Sequence, residues 1–342
     1  MATVLAVGGA GYIGSHTTAA LIEKGYDVVV IDDLSNSSQS VLQGIGEICG
    51  KTPQFIHADM RDTKTINNAI NGIKIDFAIL LAGVKSVPSS IANPIDYYSI
   101  NVGGAADIMS CLRHNGIFDV VFSSSATVYS ESASQPVAED SPLGAINPYG
   151  ETKLAIERML DWTAASDPRW RIISLRYFNP VGAHPTGKIG ENPRQPPTNL
   201  FPLIGQAALG QRDALEVYGG DYPTPDGSGV RDFIHVVDLA EAHVAAVEAM
   251  AGIATGRNTK INVGTGAGIS VLEVLHLWGD VVGRTIPHRV VARREGDLAV
   301  CLADPDRARG LLGWKARFSH RDMCRDHWNF QRRHASAQQA SA

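Results

Sequence analysis

The chain has 342 residues, enough for one large or two ordinary domains around a substantial core. Hydrophobic residues make up 44 % and charged residues 19 %, and the formal net charge is -5 without a long basic run, so nucleic-acid binding has no electrostatic support. No uninterrupted apolar stretch is long enough to span a membrane, and the four cysteines, Cys49, Cys111, Cys301 and Cys324, form no CxxC pair, so they read as free thiols in a reducing, cytoplasmic setting.

The first seven residues are apolar, lack a basic leader and run straight into a glycine turn; residues 3–7 read as a first strand, not a signal peptide. Residues 15–24 predict a helix closed by Gly25, and 27–31 a second, valine-rich strand. Further strands are expected at 55–57, 75–81, 118–123 and 171–176, with helices over 101–114 and 149–165. Buried β runs alternating with helices argue for βαβ units and a parallel sheet. From 179 to 230 the chain is rich in Pro, Gly, Asn and Asp, with one clear periodic element at 201–209. Such a stretch carries binding loops over a scaffold. A helix over 238–250 with Asp238 as its N-cap follows, then a strand at 260–263. The polar, small-residue tail 335–342 predicts disorder.

Three glycines carry the first functional signal. Gly8, Gly11 and Gly14 follow a strand and open a helix in Val7-Gly8-Gly9-Ala10-Gly11-Tyr12-Ile13-Gly14. One permits a tight turn, another lets backbone N–H groups approach a pyrophosphate, and the third allows close helix–strand packing, while the helix start favours the phosphate charge. The spacing is GxxGxxG rather than GxGxxG. Asp32 ends the second strand, where a carboxylate accepts hydrogen bonds from adenosine ribose hydroxyls and repels a 2′-phosphate, so NAD is favoured over NADP. Asp59 follows the third strand, as an adenine contact or a surface cap.

The second signal is Pro148-Tyr149-Gly150-Glu151-Thr152-Lys153, whose Tyr149 and Lys153 share a helix face. An ammonium near a phenol favours the phenolate and lowers its pKa from about 10, making a usable base for a sugar hydroxyl. Ser123-Ser124-Ser125-Ala126-Thr127-Val128-Tyr129 lies at the carboxyl end of the fifth strand, where open α/β sheets bind ligands; the Ser125 or Thr127 hydroxyl can take the reacting sugar oxygen.

With these features in order, the sequence resembles the extended short-chain dehydrogenase/reductase family, over almost the whole chain. The resemblance is carried by Gly8 to Thr17, Ser123 to Tyr129, Arg176-Tyr177-Phe178-Asn179-Pro180-Val181-Gly182-Ala183-His184-Pro185, Gly229-Val230-Arg231-Asp232-Phe233-Ile234-His235-Val236 and Arg294-Glu295-Gly296-Asp297. It implies an α/β fold: a Rossmann-type doubly wound parallel sheet over 1–180 that holds NAD, and a smaller C-terminal α/β substrate domain over 181–334, with segments around 231–263 packing back on the first. The implied activity is reversible C4 epimerisation of UDP-glucose and UDP-galactose through a transient 4-keto sugar, in a homodimer. Tyr149 is implied as base, Lys153 as its electrostatic partner and ribose ligand, and Ser125 as the partner of the sugar 4-hydroxyl.

The resemblance places further NAD contacts at Tyr12, Ile13, Asp32, Asn36, Asp59, Met60, Lys85 and Phe178. It places UDP-sugar contacts at Asn179, Asn199, Leu200, Tyr218, Arg231, Arg294 and Asp297, with Thr127 beside Ser125. Arg231 and Arg294 suit a diphosphate, each offering a bidentate fork; Tyr218 suits a uracil ring and Asp297 the uridine ribose. Three departures matter. Cys301 stands where many bacterial members carry Tyr, which implies room for an N-acetyl group and hence UDP-GlcNAc and UDP-GalNAc as substrates. Leu80-Leu81-Ala82-Gly83 and Ile100 replace residues often seen at the cofactor, which implies altered NAD affinity. Relatives that eliminate water carry Asp-Glu after the fifth strand, where this chain has Ala126-Thr127, so dehydration is not expected.

Overall fold

The computed structural model describes residues 1–294 and 296–341, with backbone alone for 337–341. Short runs of β-branched and aliphatic residues form strands β1 (Thr3–Val7), β2 (Asp27–Asp32) and β3 (Gln54–His57), separated by helices α1 (Tyr12–Glu23) and α2 (Gln39–Cys49). After α3 (Thr63–Ile70) come β4 (Phe77–Leu80), the short helices α4 (Val87–Ala92) and α5 (Pro94–Tyr97), a wide π-type turn over Tyr98–Gly103, and α6 (Gly104–His114). Strand β5 (Asp119–Ser125), helix α7 (Pro148–Ser166) and strand β6 (Arg171–Tyr177) follow.

The remainder starts with β7 (Asn179–Val181), α8 (Leu200–Ala208), β8 (Leu215–Tyr218), β9 (Val230–Arg231) and β10 (Phe233–His235). It continues through α9 (Val236–Ala249), β11 (Arg257–Val263), β12 (Ile269–Ser270) and α10 (Val271–Val282). It closes with β13 (His288–Val291), β14 (Val300–Cys301), α11 (Asp306–Leu312) and α12 (His320–Ser341).

Seven strands form one parallel sheet in the order β11-β6-β5-β4-β1-β2-β3. The order reverses between β1 and β4, and at such a switch point the connecting loops part to leave a crevice beyond the carboxyl ends. Helices on both faces bury two aliphatic clusters, one around Val4, Val30, Ile173 and Val247, the other around Leu5, Ile31, Ile79's neighbour Leu80, Ile108 and Ile172. The smaller unit has its own core of Phe201, Leu215, Phe233, Trp278 and Met323. Its strands pair as β7 with β10, β8 with β13, and β12-β9-β14. The chain does not part cleanly at residue 180: β11 pairs with β6 as the seventh strand, and α9 packs on α1.

One expectation needs correction. Asp238 does not cap α9. The cap is His235, whose Nδ1 accepts the Val237 N–H at 3.1 Å; Asp238 is buried one turn in and accepts the Arg317 and Phe318 N–H groups at 3.0 Å each. Its carboxylate thus fixes the loop that leads into α12, a long-range role that local spacing does not reveal. Helix α12 runs as far as Ser341, and Ala342 lies outside the described residues.

Candidate active site

A cleft of about 980 Å³ opens at the carboxyl ends of β1, β2 and β4. Gly8, Gly11, Tyr12, Ile13 and Gly14 line it, together with Asp32, Asn36, Asp59, Met60, Lys85 and Asn199. Gly8 sits at φ +84°, and a Cβ there would come within 2.4 Å of the Ala82 nitrogen; a Cβ at Gly14 would reach 2.0 Å from the Gly8 oxygen. Both glycines are required by the protein's own packing. Gly11 differs: its Cβ would meet only the Gly8 oxygen, at 3.4 Å. No protein neighbour demands a glycine there, whereas a ligand lying against the start of α1 does. The first N–H groups of that helix have no intrahelical acceptor and face an anion site. The loop therefore fits a dinucleotide pyrophosphate.

Asp32 does more than end β2. Its Oδ2 accepts the Ala10 N–H at 3.0 Å and its Oδ1 accepts the Leu34 N–H at 2.9 Å, tying the glycine loop to the β2 exit. Burial pushes its carboxyl pKa up, against those backbone donors. Leu34 holds φ +55°, an uncommon conformation for a branched residue, which the Asp32 bond and burial sustain. Asp59 is gripped by Arg61, whose Nε and Nη2 donate at 2.9 and 2.5 Å; that pairing lowers its pKa and leaves it ionised at the cleft edge. Met60 packs where a side chain at Gly104 would collide. Leu81 and Ile100 line the cleft, while Leu80 is buried in the sheet. Asn101, one residue after Ile100, is buried: it bonds both backbone groups of Val84 and donates to Thr152 Oγ1 at 3.0 Å, joining the cleft wall to α7.

Helix α7 presents Tyr149 and Lys153. Asn147 caps it by accepting the Gly150 N–H at 2.9 Å. Lys153 is buried, 5.9 Å from the Tyr149 ring centroid, and donates to the Ser123 carbonyl at 2.7 Å. Burial pushes its ammonium down to about 8, opposed by Glu157 one turn on. Glu157 is itself locked to Arg176 by bonds of 2.9 and 2.6 Å, both side chains being buried, and takes the Ser124 hydroxyl at 2.5 Å. Ser125 Oγ accepts from Thr127 N and Oγ1 at 3.2 and 3.0 Å. The phenol of Tyr149 moves opposite to the sequence expectation. Burial pushes it up to about 12, the Ser125 hydrogen bond pulls it down, and Tyr97 adds to the rise.

The sugar-nucleotide candidates form two groups. Arg231, Asp297 and Cys301 come together: Arg231 Nη2 is 3.7 Å from Asp297, and Cys301 pairs with Arg231 across β14 and β9. Burial raises the Cys301 thiol pKa. Arg294 stacks on Tyr218, with 4.1 Å from the guanidinium to the ring centroid. Asn179 starts β7 and Leu200 starts α8. Phe178 lies away from the cleft lining, packed with Val128, Tyr129 and Leu154 beneath α7. Sequence reading missed Glu191, which lines the cleft from the proline-rich stretch. The available signal was a lone acid in the run 179–212, which holds no other Asp or Glu.

A doubly wound sheet, a glycine turn at its switch point and a Tyr–Lys pair beside the fifth strand define a dinucleotide-binding protein of the extended short-chain dehydrogenase/reductase type. The chain belongs to the NAD dependent epimerase/dehydratase family, whose sequence model matches residues 4–264. A UDP-glucose 4-epimerase of Bacillus subtilis (strain 168) is 47 % identical, covering 96 % of both chains. A UDP-glucose 4-epimerase from Stenotrophomonas maltophila, solved with bound NAD and formylated UDP-arabinopyranose, superposes with TM-score 0.95 at 44 % identity, over 98 % of this chain and 99 % of that one. A UDP-Glc/GlcNAc 4-epimerase from Campylobacter jejuni superposes with TM-score 0.84 at 31 % identity, over 97 % of this chain and all of that one (100 %).

Proposed function

We propose that this chain is an NAD-dependent isomerase that interconverts UDP-glucose and UDP-galactose by C4 epimerisation. The observation that carries the reading is the set Ser125, Tyr149 and Lys153 at the carboxyl end of β5, beside a cleft built for a dinucleotide. When bound, NAD supplies a reversible hydride acceptor for the sugar C4 and a cationic ring that offsets the raised phenol pKa. Gly8 and Gly14 keep the loop in shape, Gly11 leaves room for the pyrophosphate, and Asp32 receives the adenosine ribose. Tyr149 takes the proton of the 4-hydroxyl and, once the 4-keto sugar has turned over, returns it to the C4 oxygen, while the inversion lies in the face of C4 that receives the hydride. Ser125 orients that oxygen. Lys153 holds positive charge near the phenol, positioned by Ser123 and Glu157. Arg231 and Arg294 bind the diphosphate, Tyr218 the uracil and Asp297 the uridine ribose, so the sugar is free to turn while its nucleotide stays fixed.

The test is conversion of UDP-galactose to UDP-glucose by the purified chain. Tyr149→Phe is expected to lower kcat by roughly 10²–10⁴-fold while NAD stays bound; near-normal turnover refutes the assignment of the base.

A wider substrate range rests on Cys301, whose short side chain lies beside Arg231. UDP-GlcNAc and UDP-GalNAc are accordingly proposed as further substrates. Cys301→Tyr is expected to suppress turnover of UDP-GalNAc while sparing UDP-galactose, and equal loss on both removes the idea. A homodimer is proposed on the exposed apolar side chains Ile91, Ile95, Tyr98 and Trp162, which belong to mutually packed helical segments; sedimentation checks it. Cytoplasmic residence is proposed on the four free cysteines. Among the described residues, no helix is long and apolar enough to cross a membrane.

A further inference from the structure

Residues 190–199 form a strap along one edge of the dinucleotide cleft. Gly190 starts it flat against α12, where a Cβ would lie 2.5 Å from the Phe330 ring. Three prolines, Pro193, Pro196 and Pro197, restrict its backbone. The Arg194 N–H donates to Asn36 Oδ1 at 3.1 Å on the far side of the cleft. Within this exposed segment one side chain is buried, that of Glu191, only 5 % accessible.

Glu191 Oε1 receives two donors, Lys85 Nζ at 3.0 Å and Asn199 Nδ2 at 2.6 Å. Lys85 leaves the β4 end of the sheet, its ammonium 5.6 Å from the Tyr12 ring centroid at the start of α1. Asn199 stands at the N-cap of α8. Asparagine there ordinarily accepts a backbone N–H of the first turn, yet Asn199 makes no side-chain cap bond; its amide is turned to Glu191. All three residues line the cleft. A buried carboxylate is held stable only by its donors, so each donor is fixed in return.

We propose that Glu191 is a positioning residue that latches the strap, holding Lys85 on the cofactor side and Asn199 on the sugar-nucleotide side, so that retention of the dinucleotide and grip on the UDP-sugar are coupled. The proposal rests on the cleft being the NAD site.

The experiment uses the NAD-loaded protein. NAD release after rapid dilution is measured alongside KM and kcat for UDP-galactose. Losing a hydrogen bond to a charged group corresponds to about tenfold or more in binding. Glu191→Ala is therefore expected to speed NAD release and raise KM by at least about tenfold each, with the smaller change in kcat. Glu191→Gln keeps an acceptor for Asn199 but no charge for Lys85, so it is expected to restore KM more fully than NAD retention. Lys85→Met is expected to speed release less in the Glu191→Ala background than in the wild-type one. Wild-type release and KM in Glu191→Ala, a loss confined to kcat, or full additivity with Lys85→Met overturns the latch. A wild-type chain that binds NAD but does not convert UDP-galactose sinks the functional reading alone, and the release measurements still judge Glu191.

Discussion

Lys153 is the residue on which the charge of the site turns. Its ammonium is pushed down to about 8, because burial strips its hydration and Glu157 restores only part of the loss. Below that value it carries the positive charge proposed to act beside the bound nicotinamide ribose and the Tyr149 phenol; above it the charge is gone. In the free enzyme kcat/KM is therefore expected to fall as pH rises through about 8, and a pH profile of Lys153→Met should lack that limb as well as most of the turnover; an unchanged alkaline limb in that variant contradicts the assignment. Arg176 is the second single residue with a large predicted effect. With Arg176→Met, Glu157 is left charged, buried and without its main partner, a loss of about 3–5 kcal/mol in denaturant unfolding, and the double variant with Glu157→Met should recover part of it. The residues proposed to react can be picked out in the sequence because their logic is local. Tyr149 and Lys153 are one helical turn apart, and Ser125 closes a strand. Glu191 was not legible, because its meaning depends on Lys85, which lies 106 residues away. The direction of the Tyr149 shift was hidden for a related reason: spacing shows that a lysine is near, but only the fold shows how completely the phenol is buried.

Elements meet at glycines, and Gly150 is the contact that sets the catalytic geometry. A Cβ there would lie 2.6 Å from the Thr127 oxygen and 2.9 Å from the Ala145 Cβ. The first turn of α7 can approach the serine-rich end of β5 only with a bare backbone at this point. Gly150→Ala should push the two apart and part Tyr149 from Ser125. The expected result is a fall in kcat larger than any rise in KM, with NAD retained; equal kcat in the variant means the approach is not needed. The sheet strands could be read from the sequence because buried parallel strands are continuous aliphatic runs. Helix α2 escaped for the opposite reason: Gly44 and Gly46 depress its helix propensity. The fold explains both, since a Cβ at Gly44 would sit 2.9 Å from Ile189 and one at Gly46 2.5 Å from the Thr52 hydroxyl. Packing outweighs propensity there. Helix α10 carried a readable signal, the reciprocal Ser270 and Glu273 capping box, that the hydrophobic pattern alone did not bring out.

At the scale of the whole molecule, the chain crosses between its two units several times, and three of its helices carry a buried histidine. His16 on α1 is buried against Tyr12, His243 on α9 bonds the Tyr177 hydroxyl, and His327 on α12 is packed between Phe201 and Trp278. Burial pushes His16 down to about 3 and His243 and His327 down to about 4. Each folded value lies below that of an unfolded histidine, about 6.5. Below that pH the unfolded chain binds protons that the folded chain refuses, so the free energy of unfolding must shrink as pH falls through this window. The slope is at most about 1.4 kcal/mol per pH unit for each histidine, and it levels only near the folded values, where the native protein titrates as well. Carboxylates kept low by a partner, such as Asp167, held at about 2 chiefly by its Arg169 hydrogen bond, contribute only below the ordinary carboxylate range of about 4, and those that burial raises, Asp32, Asp238 and Glu241, act with the opposite sign, so a loss of stability between pH 6.5 and 5 belongs to the histidines. Urea midpoints measured across that interval should fall steadily with acid, and His327→Gln should make the decline shallower; a midpoint that stays level from pH 6.5 to 5 would show that these imidazoles reach water without the fold opening.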